Sequence, residues 1–451
     1  LGKRELALMK VNPDSIEKSV NDLEKQITLK TDLLSKGFNH NVSWKQVQKS
    51  LKIDEAAVEI IRAYSPMVEE IDKIYYMALI IDKNTKDYPK IALMEDGYEM
   101  ETQYCKQYRD AIFDSTKKEN TYQHFWEKIE KELNGAKKVY FSGDGVYPKI
   151  NLNSIWNPVK KNYLIDEYDF YNVSSLRDLI DKKENIDITD NTISLFGFPD
   201  YTSTVAAGNL DENQVSADYL LERKIDAQDR SFFLDPLPGT KKEVMVIEKM
   251  MKGMGWKTEL YLGKEAQELK LKSVSSPRVL HIATHGYFQK DIDKNIGPAT
   301  SMLSEKMTKN PLLCSRLMMA GASHAYSANY SAATNWAGRE DGILTAFEAM
   351  NLNLDKTELV VLSACETGLG EIHNGEGVYG LQRAFMVAGA KTVIMSLWTV
   401  SDAATQKLMT LFYAKWLETG DKHGAFRYAQ LELKKTFPDP YFWSAFVMIG
   451  N

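Results

Sequence analysis

The chain has 451 residues, 44% apolar and 26% charged, with 26 Gly and 13 Pro scattered along it; this excludes disordered, collagen-like and coiled-coil chains and, at roughly 150 residues per domain, leaves room for two to three domains. Fifty-six basic against 62 acidic residues give a net charge of −6, so nothing global points to nucleic acid or a membrane surface. No apolar run reaches the ~18 residues of a membrane span and no charged-then-apolar signal pattern occurs, while three cysteines, Cys105, Cys314 and Cys365, form neither a disulfide framework nor a zinc motif and suit a reducing cytoplasm.

The first residue is Leu1 rather than Met, which reads as a cut or processed boundary. Residues 14–36 are expected to form one helix. Ile16, Val20, Leu23, Ile27 and Leu34 fall on one face, Asp14 or Ser15 can cap it, and Gly37 stops it. Such a helix packs on its own domain or on helices upstream. From Trp44 the pattern alternates between helix and strand. Residues 54–63, rich in Glu and Ala, read as helical; 75–81 and 90–94 read as strands. Helical segments then precede the strand 138–142, which runs into Gly143, Asp144 and Gly145. Further strands are expected at 192–196, 257–262, 279–283, 359–363 and 392–397, with a helix at 240–252. The later strands are continuous apolar runs separated by helices, the signature of a parallel sheet covered on both faces. The expected fold class is therefore α/β, a mostly parallel sheet with helices on both faces.

Residues 289–340 break the rhythm. They hold Met302, Met307, Met318 and Met319 among many Ser, Ala and Asn, and a stretch this long between strands reads as functional or mobile rather than as a plain connection. The strand ending at Asp144-Gly145 also echoes the one ending at His285-Gly286. That echo suggests a duplicated α/β unit with one chemically active copy. The chain then divides into a helical remnant at 1–43, a first α/β half at 44–190 and a second at 191–451.

In open parallel sheets, reactive groups collect beyond the carboxyl ends of the strands. Two strand ends stand out: Ala-Thr-His285-Gly286 and Leu-Ser363-Ala-Cys365-Glu-Thr-Gly. If the strands are neighbours, His285 and Cys365 project from one edge, and an imidazole is the group that activates a thiol as a nucleophile. Backbone N–H groups of Gly286 and Cys365 are then placed to receive an oxyanion. No third, orienting residue is evident, so a dyad is the economical reading; the plain alternative makes both residues core. Gly368, Gly370, Gly375 and Gly377 suggest a loop kept open for a ligand or a peptide backbone. His281 reads as a packed strand residue, because four positions on a strand separate it from His285 by more than ~10 Å. His373 reads as an exposed loop residue, and Cys105 and Cys314 as inert. The glycine-rich 368–377 segment lacks the Lys-Ser/Thr of a phosphate-binding loop, and there is no Gly-x-Ser-x-Gly elbow. No metal and no cofactor are expected.

Taken in order, His-Ile-Ala-Thr-His285-Gly, Asp341-Gly-Ile-Leu-Thr-Ala-Phe-Glu-Ala, Leu-Ser-Ala-Cys365-Glu-Thr-Gly-Leu-Gly, the segment 375–385, Ser-Leu-Trp-Thr-Val-Ser-Asp402 and the terminal Tyr-Phe-Trp-Ser-Ala-Phe-Val-Met-Ile-Gly closely resemble the CHAT family. Its members are caspase-like cysteine peptidases related to separase and gingipain, and they are commonly fused to tetratricopeptide repeats. The resemblance spans roughly 190–451 and is weaker from Trp44. It implies a caspase-like fold with His285 as general base, Cys365 as nucleophile and the amides of Gly286 and Cys365 as the oxyanion hole. It also offers Asp402, with Ser363, as the floor of the pocket for the side chain before the cut. A helix-capping or first-turn role for Asp402 is equally sensible physically, and one residue can serve both.

The chain departs from the family in lacking its repeats, and Asp144 stands where the first half would carry an active histidine, making that half a pseudo-protease unit. The expected function is a regulated cytoplasmic cysteine endopeptidase acting on protein substrates through a thioester, with an activating partner or sensor module and a place in prokaryotic defence. The alternatives are a caspase-like interaction scaffold without turnover and a hydrolase of small thioesters or amides.

Overall fold

The computed structural model describes residues 42–64, 73–118, 120–180, 191–203, 234–288, 312, 315–323, 340–364, 371–373, 377–399 and 401–450. The expected helix at 14–36, Cys314, Cys365 and most of 289–340 lie outside these residues. Among these residues eleven strands share one sheet: β1 (Glu55–Tyr64), β2 (Ile74–Asp82), β3 (Lys90–Met94), β4 (Lys138–Ser142), β5 (Asp169–Val173), β6 (Thr192–Pro199), β7 (Lys257–Gly263), β8 (Val279–Ala283), β9 (Leu359–Ser363), β10 (Thr392–Ser396) and β11 (Phe446–Gly450). Their spatial order is β3-β2-β1-β4-β5-β11-β10-β9-β8-β6-β7. Seven neighbouring pairs are parallel; only β1–β2, β2–β3 and β10–β11 are antiparallel.

The continuous apolar runs behave as their composition demands. Every residue of β8, β9 and β10 is buried, so both faces of the sheet centre are covered. One correction concerns residues 54–63, expected to be helical. They form β1, an inner strand in which Val58 pairs with Ile80 of β2 and Phe141 of β4. Local Glu and Ala favour a helix, but Val58, Ile60 and Ile61 suit a pleated surface, and burial between two strands overrides propensity. Met318 and Met319 belong to the segment read as functional or mobile, where little periodicity was evident. Both are buried, and Met318 ends the short strand Ser315–Met318 in a three-stranded sheet beside the main one.

Three long helices matter for the site: α1 (Pro238–Gly253), α2 (Asp402–Thr419) and α3 (Lys422–Thr436). Ser401 caps α2 by accepting the Ala404 N–H, and Asp421 caps α3 by accepting the Gly424 N–H. His281 of β8 joins α1 and α2 from below. Its Nε2 lies 2.9 Å from Glu243 of α1 and its Nδ1 3.1 Å from the Tyr413 hydroxyl of α2. All three side chains are buried. A carboxylate can only accept, so Nε2–H donates to Glu243, and Nδ1 of the neutral ring accepts from the Tyr413 O–H. Burial, then the Glu243 charge, holds the Tyr413 phenol well above its ordinary range, keeping it a donor. His281 is thus a packed strand residue, as its position suggested.

The earlier and later strands meet at β5 and β11. Asn172 pairs with Ile449 and donates from its amide to the Met448 carbonyl at 3.3 Å. Arg427 of α3 reaches the Ile165 carbonyl at 2.7 Å, and Asn151 reaches the Ser444 carbonyl at 2.6 Å. These bonds fasten residues 151–172 to α3 and to the chain around β11, and Val47–Asn451 forms one unit.

A charged cluster ties down the turn before the short helix Ala346–Ala349. Lys272 Nζ lies 2.6 Å from Glu268, 2.6 Å from Glu340 and 3.0 Å from Glu348. Glu268 is almost fully buried, and its other oxygen accepts the Gly342 N–H at 2.9 Å. Three carboxyls around one ammonium repel one another, so burial and then Glu340 push Glu268 up to about 9 from 4.5. A carboxyl raised on folding favours the protonated folded state. Its contribution to stability is present below about pH 4.5 and is lost as pH rises toward 9. The urea midpoint is therefore expected to fall between pH 6 and pH 9 in the wild type and to fall less in Glu268→Gln, whose amide still accepts from Gly342. An equal fall in both proteins would remove Glu268 from the pH response.

Candidate active site

β8 and β9 are parallel neighbours in register, with Ala283 opposite Ser363. The ladder continues past the strand ends, where the Thr284 N–H donates to the Ser363 carbonyl at 3.3 Å. The β9 end is fixed from its other side as well, because Ser396 Oγ of β10 donates to the Ala364 carbonyl at 2.6 Å. In sequence, His285 and Cys365 each stand two positions beyond the Ala283–Ser363 pair. The Ser363 side chain is buried and its Oγ has no hydrogen-bond partner among the described residues.

His285 is partly exposed at the carboxyl end of β8. Its Nε2 lies 2.8 Å from the backbone carbonyl of Asp235, ahead of α1. That oxygen can only accept, so Nε2 carries the proton and Nδ1 of the neutral ring keeps its lone pair. The tautomer leaves Nδ1 able to take a proton. The orienting group that no side chain in the sequence supplied is therefore a main-chain carbonyl, which leaves no side-chain signature. Tyr201 is a second support that sequence reasoning missed. Its ring centroid lies 5.2 Å from that of His285, and its hydroxyl lies 3.0 Å from Thr284 Oγ1 and 3.4 Å from the His285 N–H. Thr284 Oγ1 in turn donates to the Met318 carbonyl. The histidine is thus held from three sides: by its strand, by Tyr201 and by Asp235.

Gly286 opens the short strand Gly286–Phe288 and pairs with Leu317. The flanking bond runs from the Met318 N–H to the His285 carbonyl at 3.0 Å. Gly286 and Leu317 therefore form the antiparallel pair whose own N–H and C=O groups point away from each other. The Gly286 N–H faces out of that ladder.

Asp402 is exposed in the first turn of α2, with Ser401 rather than Asp402 as the cap. Its Oδ2 accepts the Gly239 N–H of α1 at 3.2 Å. The helix-terminus role foreseen for Asp402 is realised across two helices, since its carboxylate sits where both N-terminal dipole ends are positive. Residues 235–239 consequently touch His285 at one end and Asp402 at the other.

At the end of β4, Asp144 occupies the position corresponding to His285. Its carboxylate accepts the Gly145 N–H at 2.7 Å and the Arg62 N–H at 3.1 Å. Gly145 has φ +61°, and a Cβ there would come within 2.1 Å of the Tyr76 hydroxyl. Tyr76 donates to Glu101 at 2.7 Å and accepts the Val146 N–H at 2.9 Å. Cys105 lies partly buried against the core. His373 lies in the short strand Glu371–His373 rather than in a loop.

A large, mostly parallel sheet in which a histidine-bearing strand lies beside a strand that runs into a cysteine is the layout of a caspase-like, cysteine-protease-type fold. The chain belongs to the CHAT-domain family, whose model matches residues 118–451. Tetratricopeptide repeat protein 28 of Homo sapiens is 33% identical over 111 residues, and that of Mus musculus 32% over 111; each match takes in 24% of this chain and 4% of the relative. The chain therefore spans a small part of those relatives. Among solved structures it is similar to gingipain R, an Arg-specific cysteine proteinase, with TM-score 0.41 and 12% identity, covering 76% of this chain and 69% of that one. It is similar also to the Saccharomyces cerevisiae separase–securin complex, with TM-score 0.37 and 12% identity, covering 82% of this chain and 21% of that one. No helix among the described residues is long and apolar enough to cross a membrane.

Proposed function

We propose that the chain is a cysteine endopeptidase with Cys365 as nucleophile and His285 as base. The observation that carries this reading is the register of β8 and β9: the Ala283–Ser363 pair sets two neighbouring parallel strand ends level, and His285 and Cys365 each follow it by two residues. Nδ1 of His285 takes the thiol proton as sulfur attacks the scissile carbonyl carbon. The Gly286 and Cys365 amides stabilise the oxyanion. The C–N bond then breaks, the leaving amine takes the proton from the imidazolium, and a thioester remains. Water, deprotonated by His285, hydrolyses that thioester and restores the thiol.

Residues 191–451 carry this chemistry, and residues 44–190 act as a pseudo-protease half. Support for the inactive half comes from Asp144, whose carboxylate is engaged with backbone N–H groups. The enzyme works in the cytoplasm on protein substrates, under control of a protein partner or repeat module, in a defence setting of the kind the family serves. Asp402, with Ser363, receives the side chain before the cut, and an exposed carboxylate selects a basic one.

Mapping of cleavage sites in a proteome against a Cys365→Ala control tests this reading. Cuts after Lys or Arg are expected in the wild type and none in the control. Identical cleavage by both would refute it. Asp402→Ala is expected to lower kcat/KM for basic-P1 peptides by about tenfold to a hundredfold relative to neutral ones. An unchanged ratio would remove Asp402 from the pocket.

A further inference from the structure

Residues 235–239, Asp-Pro-Leu-Pro-Gly, connect the two ends of the site through main-chain atoms alone. At one end the Asp235 carbonyl accepts the His285 Nε2–H at 2.8 Å. At the other the Gly239 N–H donates to Asp402 Oδ2 at 3.2 Å. The packing at Gly239 admits no side chain, since a Cβ would lie 2.3 Å from Asp402 Oδ2, 2.4 Å from its Cβ and 2.5 Å from its Cγ. Between the two contacts, Pro236 and Pro238 each fix φ, and each disfavours helical backbone at the residue before it, Leu237 standing at φ −107°, ψ 82°. A segment so constrained moves as one piece. A change at Gly239 therefore reaches the Asp235 carbonyl rather than being absorbed between them.

We propose that residues 235–239 form a rigid positioning strap that holds the His285 imidazole and is itself anchored by Asp402, so that the carboxylate assigned to the substrate pocket also sets the orientation of the base. The proposal rests on the peptidase reading above. Asp235 and Gly239 are positioning residues: they act through His285 and touch neither substrate nor the reacting atoms. Drawing the Asp402 carboxylate toward a cationic side chain lengthens its bond to Gly239 and changes the hold on Nε2–H. Occupation of the pocket and readiness of the base are thereby coupled. When the carbonyl acceptor is lost, the imidazolium loses a hydrogen bond, and the thiolate–imidazolium pair becomes less stable than thiol plus neutral imidazole.

The pH dependence of Cys365 alkylation by iodoacetamide tests this, because that small neutral reagent needs no side-chain pocket. Wild type, Gly239→Ala, Asp402→Ala and Asp402→Asn would be compared, with folding checked by thermal melting. Gly239→Ala displaces the carboxylate and Asp402→Ala deletes the acceptor. Both are expected to lower the alkylation rate at pH 6 by about fivefold and to shift the profile toward higher pH. Asp402→Asn, whose amide oxygen still accepts from Gly239, is expected to keep the profile within about twofold of wild type. A folded Asp402→Ala or Gly239→Ala protein with the wild-type profile would overturn the strap while leaving the dyad intact. A wild-type Cys365 that titrates like a free thiol near ~8.5 would overturn the dyad and the strap together.

Discussion

Replacing Cys365 with Ala is expected to abolish peptide cleavage, and replacing His285 with Ala to lower kcat/KM by about 10³-fold or more. The two effects differ in kind. Without sulfur there is no atom to form the thioester. Without the imidazole, the thiol must ionise unaided; at neutral pH only a few per cent of an ordinary cysteine is thiolate, and the leaving amine also loses its proton donor. His285→Ala should therefore keep a small activity that rises with pH as the thiol ionises, whereas Cys365→Ala has no such limb. The double variant should match Cys365→Ala alone, since residues that act as a unit are not additive. Steady-state kinetics on a basic-P1 peptide between pH 6 and pH 9 checks all three. Wild-type rates in His285→Ala would contradict the assigned base.

Glu243→Ala is expected to lower stability by about 3 kcal/mol, because it strips the buried His281 Nε2–H of its acceptor and opens a void beside α1. Neither side chain reaches solvent, their relative exposures being 0% and 3%, so water cannot replace the lost partner. Glu243→Gln keeps an amide oxygen at that position and should lose about 1 kcal/mol or less. Urea unfolding of the three proteins measures the difference. The loss has a functional echo, since Glu243 lies on α1, whose first two residues, Pro238 and Gly239, belong to the 235–239 segment. A folded Glu243→Ala protein should also show weaker alkylation of Cys365. Equal stability of Glu243→Ala and wild type would mean that the triad of His281, Glu243 and Tyr413 contributes little to holding α1 on β8.

Much of the sheet was legible because a strand buried on both faces must be apolar throughout, and β8, β9 and β10 are such runs. Lys90–Met94, Lys138–Ser142, Val279–Ala283 and Leu359–Ser363 fall where composition put them. β1 was not legible, because its identity as a strand depends on β2 and β4 flanking it rather than on its own Glu and Ala. Among site residues, His285 declared itself as an imidazole at the end of an apolar run beside Gly286. Asp235 could not, because it contributes a carbonyl that any residue possesses. Tyr201 could not either, since only the return of the chain past β6 brings its hydroxyl to Thr284. Asp402 was legible as a helix-start carboxylate, but its bond to Gly239 crosses 163 positions of sequence, a distance over which local pattern carries no information.

The peptidase reading stands on the activation of one of three cysteines, Cys365, by His285. Its most direct measurement is treatment with a peptidyl chloromethyl ketone bearing a basic P1 residue, followed by intact mass and peptide mapping. A single adduct is expected on Cys365, lost in His285→Ala and absent from Cys105 and Cys314. No adduct, or one distributed among the three cysteines and indifferent to His285, would contradict it.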